Sequence, residues 1–528
     1  MRRLSCAAIA LLALTLVACG GGSNITPPPP AGGFTTASLK GQYAFSMSGV
    51  DPSGAFIARV GSFTADGAGH ITAGLEDVLA LSSGQPPGLV SFSSGTYEIQ
   101  ANGRGLVVLQ GAAGGGLQLN LAMQSSSGGF LVQTDLNASS SGTFSLQNSA
   151  DFAASALVNH FVFDFSGVSF LTNSAAPLSM LGEITLDGNG TITAGVMDVN
   201  DGNLSAPSGA TTITPGTYQM DSSGNGTAFG RGMMNFAGYA FAFYVVDSTH
   251  IMVLEEDNLG GTSGDALLQA GSVPTQNSQF SGSFVYLIGG ASVLGTQGPV
   301  TRAARFTADG NGGLGTISLD DNNDGRYTHI SQGSNISSAT YSIDPSFPGS
   351  GRGTFTFTDS SAGKFSDVFY LISTSQGVVL ETSAGIIGSG PMYAQTGGPF
   401  SLSNLAGNFV FNWSGVQLGS STAVPFEEDF VGQYALSSTT TMTNNIAGIT
   451  DYVELGLSGN NLFLGRGLGG TLTITGDGTA NNLYKFTIGG SPSSTINFQA
   501  YFANPSTVLL VCSDNDRTTA GIVNQQAQ

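Results

Sequence analysis

The sequence predicts an all-β protein made of four tandem antiparallel domains, each a small up-and-down β-barrel of about eight strands. Three observations predict this fold: a repeated opening phrase, a repeated closing phrase, and alternating aromatic residues in the opening strands. The opening phrase recurs as Gly41–Phe45, Asn159–Phe163, Gly282–Tyr286 and Gly407–Phe411. The closing phrase is a glycine followed five residues later by a glutamine, at Gly142/Gln147, Gly264/Gln269, Gly390/Gln395 and Gly521/Gln526. Two landmarks that recur together indicate four copies of one domain.

Strand signals fill each copy. Tyr43, Phe45 and Met47 alternate with smaller or polar residues, and this period of two is typical of a half-buried strand. The dipeptide Asp66-Gly67 predicts a tight hairpin because glycine tolerates positive φ, and it recurs as Asp187-Gly188 and Asp309-Gly310. In the first copy we predict strands near residues 41–48, 55–64, 70–78, 94–100, 104–110, 116–123, 129–135 and 142–147. A two-sheet β-sandwich is the alternative that these signals leave open.

The landmarks also predict the domain boundaries. We place the four repeats at 38–148, 155–270, 278–396 and 402–528, joined by short connections that bring neighbouring domains into contact. The fourth repeat is degenerate, since it lacks the Asp-Gly-x-Gly hairpin at the expected place. Terminal units of repeat arrays are often atypical in this way.

The N-terminus predicts a lipid anchor. Residues 1–18 combine Arg2-Arg3 with a short apolar run, which is the pattern of a secretory signal peptide. The run ends in Leu16-Val17-Ala18-Cys19, which resembles a bacterial lipobox and implies cleavage before Cys19 and lipidation of that residue. Residues 19–37 are rich in Gly, Ser and Pro and form a tether. We therefore expect a protein anchored in the cell envelope, in the outer membrane, and either periplasmic or surface-exposed.

The charge excludes one class of partner. Only 9% of the residues are Asp, Glu, Lys or Arg, against about 25% in ordinary domains, and the net charge is −20. A chain this acidic has no basic surface for nucleic acid. After removal of the signal peptide, Cys19 and Cys512 remain, so we expect no disulfide within the chain and interpret Cys512 as a core residue.

An arginine flanked by glycines occurs once in each repeat, as Arg104, Arg231, Arg352 and Arg466. Acidic residues recur just before the closing strand, namely Asp135, Glu255 with Asp257, Glu381 and Asp514. We expect an ion pair between these two sets inside or at the mouth of each barrel. Such a pair would fix strand register; the alternative is that it binds the carboxylate of a ligand.

One segment resembles the first half of a calcium loop. Asp320, Asn322 and Asp324 supply oxygen ligands at alternate positions before Gly325, but the twelfth position is Ser331 rather than an acid. We therefore interpret the segment as a solvated hairpin loop and keep these three residues as a weak candidate for calcium.

The sequence offers no catalytic constellation. The four histidines occupy different places in the repeats, and no cofactor motif is present. Residues 427–429 form an acidic cluster that could supply half of a carboxylate pair for glycan hydrolysis, but we expect a solvated turn there. Trp413 lies on the aromatic side of an opening strand, so we place it in the core rather than on a sugar-binding surface.

The motifs L-x-G-x-Y-x-F, F-T-A-D-G-x-G, G-T-Y and G-R-G, found here in residues 39–45, 63–69, 95–97 and 103–105, resemble those of tandem-repeat bacterial lipoproteins of the Acidobacteria type. The resemblance implies a β-rich surface lipoprotein and no particular activity. We predict a non-enzymatic protein whose barrels bind a small apolar ligand or an envelope partner, or serve as spacers. A surface adhesin or carbohydrate-binding protein is the first alternative, and a glycan-active enzyme the second.

Overall fold

A computed structural model describes residues 33–527 apart from 84–86, 112–115, 172–174, 295–296, 332–335, 361, 402–404, 420–424, 439–442, 457–458, 475–478 and 489–490. The predicted signal peptide, Cys19 and most of the tether lie outside the described residues. Within them the chain is all-β, and each repeat forms its own antiparallel sheet. The described residues include 3₁₀ helices at Thr36–Ser38, Leu81–Ser83, Ser149–Asp151, Ala154–Ala156, Ser223–Phe229 and Asn277–Gln279. No helix in these ranges is long and apolar enough to cross a membrane.

Barrel 1 is a closed eight-stranded barrel in simple up-and-down order. Its first strand pairs with both its second and its last strand, which leaves no free edge. Its strands are β1 (Lys40–Val50), β2 (Phe56–Asp66), β3 (His70–Ala80), β4 (Gly88–Ile99), β5 (Arg104–Gly111), β6 (Gly116–Ser125), β7 (Gly128–Gln133) and β8 (Ser139–Leu146).

Barrel 2 has the same order with one extra two-residue strand. We call the other eight strands its major strands. The second major strand also pairs with the third, and this pairing closes the eight strands into a circuit. Its strands are β9 (Val158–Ser169), β10 (Ala176–Asp187), β11 (Thr191–Asp201), β12 (Thr211–Thr212), β13 (Gly216–Met220), β14 (Arg231–Phe236), β15 (Tyr239–Asp247), β16 (His250–Glu255) and β17 (Gly260–Leu268).

Barrel 3 is a nine-stranded sheet in which an isolated bridge links Gly313, just before its third strand, to Thr340 on its fifth strand. Its strands are β18 (Ser281–Ser292), β19 (Gly298–Asp309), β20 (Leu314–Asn323), β21 (Arg326–Ser331), β22 (Ile336–Ile343), β23 (Arg352–Asp359), β24 (Gly363–Leu371), β25 (Gln376–Glu381) and β26 (Ile386–Ala394).

Barrel 4 is again a closed eight-stranded barrel. The degenerate hairpin predicted for this repeat falls at 439–442, outside the described residues, between two long paired strands. Its strands are β27 (Gly407–Gln417), β28 (Phe426–Ser438), β29 (Thr443–Gly456), β30 (Gly459–Ile474), β31 (Thr479–Ile488), β32 (Ser491–Asn504), β33 (Thr507–Cys512) and β34 (Arg517–Gln525). The predicted fold class, four tandem up-and-down barrels, is confirmed.

Local sequence signals explain why each sheet closes in this way. Asp66 accepts hydrogen bonds from the backbone of Ala68 and His70 while Gly67 and Gly69 have positive φ, so the predicted hairpin forms between β2 and β3. The same arrangement recurs at Asp187 and Asp309. Alternating side chains of the opening strands then point inward and fill the barrels, as in the core of barrel 1 around Tyr43, Phe45 and Met47.

The lower end of each barrel is where the opening strand begins, and the upper end is where it runs into its first hairpin. Tyr97 closes the lower end of barrel 1 by donating a hydrogen bond to the carbonyl of Leu39 at 2.7 Å. Tyr218 and Tyr341 make the equivalent bond in barrels 2 and 3. The recurring Gly-Thr-Tyr motif therefore plugs the lower end.

Glycines of the opening and closing phrases allow the first and last strands to approach closely. A Cβ on Gly142 would lie 1.9 Å from the carbonyl oxygen of Ser46, and a Cβ on Gly49 would lie 1.9 Å from that of Ser139. Equivalent contacts recur at Gly264 and Gly415. Steric need, rather than chemistry, therefore explains why these glycines repeat.

This close approach gives a stability prediction. Gly142→Ala is expected to lower the free energy of unfolding by about 1–3 kcal/mol, because the backbone of β1 must move to make room. Gly88→Ala is the matched control, since a Cβ there meets no atom within 4 Å. Urea unfolding of the two variants checks the difference; equal losses would contradict it.

The four barrels close into a ring. We call the contact between neighbouring barrels a seam. Each seam joins the outer face of the first three strands of one barrel to three later strands of the next: β1–β3 to β14–β16, β9–β11 to β23–β25, β18–β20 to β31–β33, and β27–β29 to β5–β7. Apolar residues fill seam 1–2, where Val60 and Leu79 meet Tyr244 and Leu254. Equivalent clusters fill seams 2–3 and 3–4, and one also joins barrel 4 back to barrel 1. Head-to-tail contacts of one kind thus close after four units.

Candidate functional site

The glycine-flanked arginines lie at the seams. In seam 1–2, Arg231 Nε and Nη2 donate to the two carboxylate oxygens of Asp77 at 2.7 and 2.8 Å. The Tyr244 hydroxyl donates to the same carboxylate at 2.8 Å. Both charged side chains are buried, at 7% and 1% exposure. This bidentate pair fixes the rotation of barrel 2 against barrel 1.

The same clasp recurs around the ring. In seam 2–3, Arg352 donates to both oxygens of Asp198 at 2.7 and 2.8 Å. In seam 4–1, Arg104 donates to both oxygens of Asp451, each at 2.5 Å. These three arginines therefore join one barrel to the next. Arg231 and Arg352 also form ion pairs within their own barrels, with Asp221 and Asp344.

The acidic residues that we expected to pair with these arginines are not their partners. The structure pairs the arginines with carboxylates on the third strand of the preceding barrel, not with Asp135, Glu255, Asp257, Glu381 or Asp514. The physical reason is the two-residue period of a strand. Inward neighbours such as Met234 on β14 and Phe355 on β23 belong to the barrel cores, so arginines at odd spacing from them face outward.

Arg466 does not belong with the other three arginines. It lies on β30, the fourth strand of its barrel, whereas the other three open the fifth strand. Its guanidinium stands over the ring of Phe463, with 5.5 Å from Cζ to the centroid. Arg466 therefore does not form at seam 3–4 the clasp that the other three arginines form at their seams.

Seam 3–4 uses other donors. Asp320 accepts hydrogen bonds from the hydroxyls of Tyr327 and Tyr501 and lies 2.8 Å from Nδ1 of His329. The hydrogen bond to Asp320 raises the pKa of His329 above its ordinary value of 6.5. Tyr501 has the same role as Tyr244 and Tyr370, whose hydroxyls donate to the equivalent aspartates in seams 1–2 and 2–3. Tyr327 and the partly exposed His329 supply the further contacts to Asp320 that the arginine makes to the aspartate in the other seams.

The closing glutamines form a second clasp, which the sequence analysis missed. Gln147 Nε2 donates to the carbonyls of Phe229 and Val245 in the next barrel, at 3.1 and 2.5 Å. The other three do the same to their own next barrels: Gln269, Gln395 and Gln526. The repetition of this glutamine was the signal that pointed to the clasp.

The weak calcium candidate belongs to seam 3–4. Asn322 is fully buried, and its Nδ2 donates to the carbonyls of Cys512, Asp514 and Arg517 at 2.9, 3.0 and 3.0 Å. Its Oδ1 accepts from the N–H of Gly325 and the hydroxyl of Thr518. The expected solvated loop was therefore wrong at this residue.

The other two calcium candidates also have structural roles. Asp320 is held by the tyrosines and the histidine above, while Asp324 and Gly325, with φ of 52° and 73°, form a tight turn between β20 and β21. Within the described residues no group of three or more His, Cys, Asp or Glu side chains is arranged to hold a metal ion.

This assignment gives a second prediction. Asn322→Ala is expected to lower the free energy of unfolding by about 2–4 kcal/mol, since three buried carbonyls lose their donor. Millimolar calcium is expected to leave the thermal midpoint of the unsubstituted chain unchanged. A calcium-dependent rise that Asn322→Ala abolishes would show that Asn322 is a metal ligand instead.

Inside the barrels, polar layers lie above the aromatic cores. Glu381 pairs with Arg302, and Glu255 accepts a hydrogen bond from Thr262 at 2.8 Å. Burial raises the pKa of Glu255 to about 8. The expected interior carboxylates are therefore present at these two positions, but their partners come from other strands.

The acidic cluster at 427–429 is a buried part of β28 and not the expected solvated turn. Glu428 points into barrel 4 and accepts hydrogen bonds from Arg517 and Thr519. Asp429 points to seam 4–1 and accepts from Ser139 and Ser141 at 2.7 and 2.6 Å. Because neighbouring residues of a strand face opposite sides, these carboxylates do not share a cleft.

A cavity of about 360 Å³ lies at the centre of the ring and is lined by all four barrels. Its walls are the opening and closing strands, with small residues such as Ser46 and Gly264. Asp164 is buried there and accepts a hydrogen bond from Ser389 of barrel 3 at 2.6 Å. Burial raises the pKa of Asp164 to about 7.

A second cavity, of about 470 Å³, opens at the upper end of barrel 1. Apolar residues Val78, Leu89 and Phe92 line it, and Arg59 and Glu76 form part of its wall. It is the feature of the described residues that most resembles a ligand pocket, since it is mostly apolar with few polar groups.

Other residues singled out in the sequence have structural positions. Trp413 is fully buried in the core of barrel 4, and Cys512 is a buried free thiol in the same core. Large exposed apolar side chains among the described residues are leucine and valine, including Leu171 and Leu294 on upper loops. These observations give the adhesin and sugar-binding alternatives no aromatic surface in the described ranges.

Comparison with known proteins gives limited information. The sequence matches no family model and no curated protein. Among solved structures, the chain is similar to a double mutant of transferrin binding protein B from Haemophilus parasuis Hp5, with 8% identity over 76% of this chain and 83% of that one, and a TM-score of 0.21. It is also similar to isotype 1 transferrin binding protein B from serogroup B Neisseria meningitidis, with 8% identity over 76% and 85%, and a TM-score of 0.19. Overlaps this low carry no argument about function.

Proposed function

We propose that this protein is a lipid-anchored, non-enzymatic protein of the bacterial cell envelope, in which a ring of four barrels is a rigid platform for binding. The supporting observation is that the recurring polar residues, the arginines and the glutamines, are used between barrels. Each seam combines an apolar cluster with buried hydrogen bonds. Residues conserved between repeats therefore build the platform, which leaves cavities and upper loops for recognition.

The path of the chain supports an orientation for this platform. Phe34 lies at the lower end of barrel 1, where its N–H donates to the carbonyl of Ala101. The tether that precedes it connects to the predicted lipid on Cys19, so the lower end faces the membrane and the upper end faces away. Two or three acyl chains on one residue anchor a protein stably.

The absence of catalysis is part of the proposal. Glu428 and Asp429 are engaged with arginine, serine and threonine donors, and they stand on opposite sides of their strand. Glycan hydrolysis needs two carboxyl groups about 5–9 Å apart across a substrate cleft. We therefore assign these acids to structure.

Cell fractionation tests the anchor and the orientation. The full chain is expected in the membrane fraction, and the Cys19→Ala variant in the soluble fraction. A protease site inserted after Leu171, which is exposed at the upper end of barrel 2, is expected to be cut on intact membranes faster than one inserted at 126–127 on the lower end. Soluble behaviour of the unsubstituted chain, or the reverse order of cleavage, would overturn the proposal.

A further inference from the structure

The cavity at the upper end of barrel 1 has the form of a small binding pocket. Residues of β2, β3, β4, β5 and β6 line it, and its volume is about 470 Å³. Leu89 and Val90 stand at its rim with 42% and 37% of their surface exposed, while Phe92 and Leu117 are buried in its wall. An apolar wall beneath an exposed apolar rim favours an apolar ligand over a polar one.

One polar pair stands in that wall with free hydrogen-bonding capacity. Arg59 Nη1 donates to Glu76 Oε1 at 2.7 Å. Arg59 Nε and Glu76 Oε2 are both buried and have no hydrogen-bond partner among the residues that the structure describes. Leaving a buried polar atom unsatisfied is costly, so a ligand that satisfies both atoms gains free energy on binding.

The equivalent positions of the other barrels do not repeat this arrangement. Strand register places Met180 and Phe430 where barrel 1 has Arg59. Barrel 3 has Arg302 there, but that guanidinium binds Asp321 and Glu381 and lies 4.6 Å from the ring centroid of Phe365. The free donor beside a free acceptor is thus specific to barrel 1 among the described positions.

The charges around the pair select a neutral ligand. Arg59 and Glu76 already neutralise one another. Burial raises the pKa of Glu76 to about 7, and the nearby carboxylates of Asp77 and Asp135 add to that rise. The whole chain carries a net charge of −20. A ligand carboxylate would add a further negative charge to this environment, whereas a group that accepts from Arg59 Nε and donates to Glu76 Oε2 adds none.

We propose that the upper mouth of barrel 1 binds a small neutral molecule with an apolar body and one head group that both donates and accepts a hydrogen bond, such as a primary carboxamide. The apolar body lies against Val78, Phe92 and Leu117, and the head group bridges Arg59 and Glu76. This proposal rests on the binding function proposed above. It specifies the class of ligand and the place on the protein where that ligand binds.

Calorimetric titration of the chain from residue 20 onward, which retains every described residue, tests the site at pH 8. The probes are octanamide and octanoate, which share one alkyl length and differ in head-group charge. Octanamide is expected to bind saturably, at least tenfold more tightly than octanoate. Equal affinity for the two probes, or the absence of saturable binding to the folded chain, would overturn the proposal.

Three variants locate the binding. Leu89→Ser at the rim is expected to weaken octanamide binding about tenfold, whereas Leu146→Ser, a similarly exposed leucine at the lower end, is expected to leave it unchanged. The double variant Arg59→Met/Glu76→Leu removes both charges together and is expected to abolish the preference for octanamide over octanoate. An unchanged preference, or equal effects of the two serine variants, would contradict the assignment. Failure of this site leaves the fractionation result untouched, so the two proposals are tested separately.

Discussion

Replacing Arg231 by methionine is expected to lower the free energy of unfolding by about 3–5 kcal/mol. The substitution leaves the carboxylate of Asp77 buried at 1% exposure without its bidentate partner, although the Tyr244 hydroxyl still donates to it. It also removes the ion-pair partner of Asp221. Removing one member of a buried ion pair is costly because the remaining charge has lost both water and counter-charge. Guanidinium unfolding followed by circular dichroism measures the loss.

Arg466→Met is the matched control for this experiment. It removes the same side chain from the same three-residue motif, at a position on the fourth strand that pairs with Thr450 of its own barrel. We expect a loss of about 1 kcal/mol or less. A second variant, Arg231→Met/Asp77→Leu, is expected to recover most of the lost stability, since it removes the unpaired charge as well. Similar losses for Arg231→Met and Arg466→Met would show that the seam pair does not stabilise the ring.

The thermal midpoint is expected to rise as the pH falls from 8 to 5. Burial raises the pKa of Glu76, Asp164 and Asp367 to about 7 and that of Glu255 to about 8. In the unfolded chain these groups ionise near pH 4, so between about pH 4 and 8 the folded state holds protons that the unfolded state has lost. Stability therefore falls as pH rises through this window, by several kcal/mol in total as an order of magnitude.

Substitution of Asp367 tests the predicted fall in stability as the pH rises. Both of its carboxylate oxygens are buried without a hydrogen-bond partner in the described structure. Asp367→Asn is expected to raise the midpoint at pH 8 and to flatten its pH dependence, because the amide needs no proton. Glu98→Gln, an exposed position on β4, is the control and is expected to leave the slope unchanged. A midpoint that is constant, or higher at pH 8 than at pH 5, would contradict the account.

The parts of the fold that depend on local signals were predictable from the sequence. Asp66-Gly67 specifies its hairpin through backbone conformation, and the alternation of Tyr43, Phe45 and Met47 specifies which face of β1 is buried. Both signals act within a few residues, so their meaning does not depend on how the barrels are arranged. Strand order followed from them, because short hairpins connect neighbouring antiparallel strands.

Contact between neighbouring barrels was expected from the short connections. The residues that form the seams were not predicted, although a signal was present. An aspartate recurs on the third strand of every barrel, as Asp77, Asp198, Asp320 and Asp451, in step with the opening phrase. Pairing these acids with the arginines needs the knowledge that the barrels form a ring, since the partners lie in different repeats. The same limit led to the solvated interpretation of Asn322 and of the cluster at 427–429. These residues are polar in sequence but buried against a neighbouring barrel.

Arg466 was grouped with the other three arginines because of its motif, and this prediction was wrong. Its flanking glycines match the motif of the other three arginines, but the position relative to Asp451 shows that it lies one strand too early. A motif of three residues identifies a chemical group but does not fix its place in a sheet, where a shift of one strand changes every partner. The position of Asp451 on the third strand predicts the location of the later strands of this repeat better than the Gly-Arg-Gly motif does.

Small-angle X-ray scattering of the chain from residue 20 onward tests the closed ring most directly. The contacts of seam 4–1, such as Arg104 with Asp451, require the first and last barrels to touch. A radius of gyration near about 23 Å, the value of a compact chain of roughly 500 residues, is the predicted result. A value well above about 30 Å, as four barrels arranged end to end require, would contradict the ring.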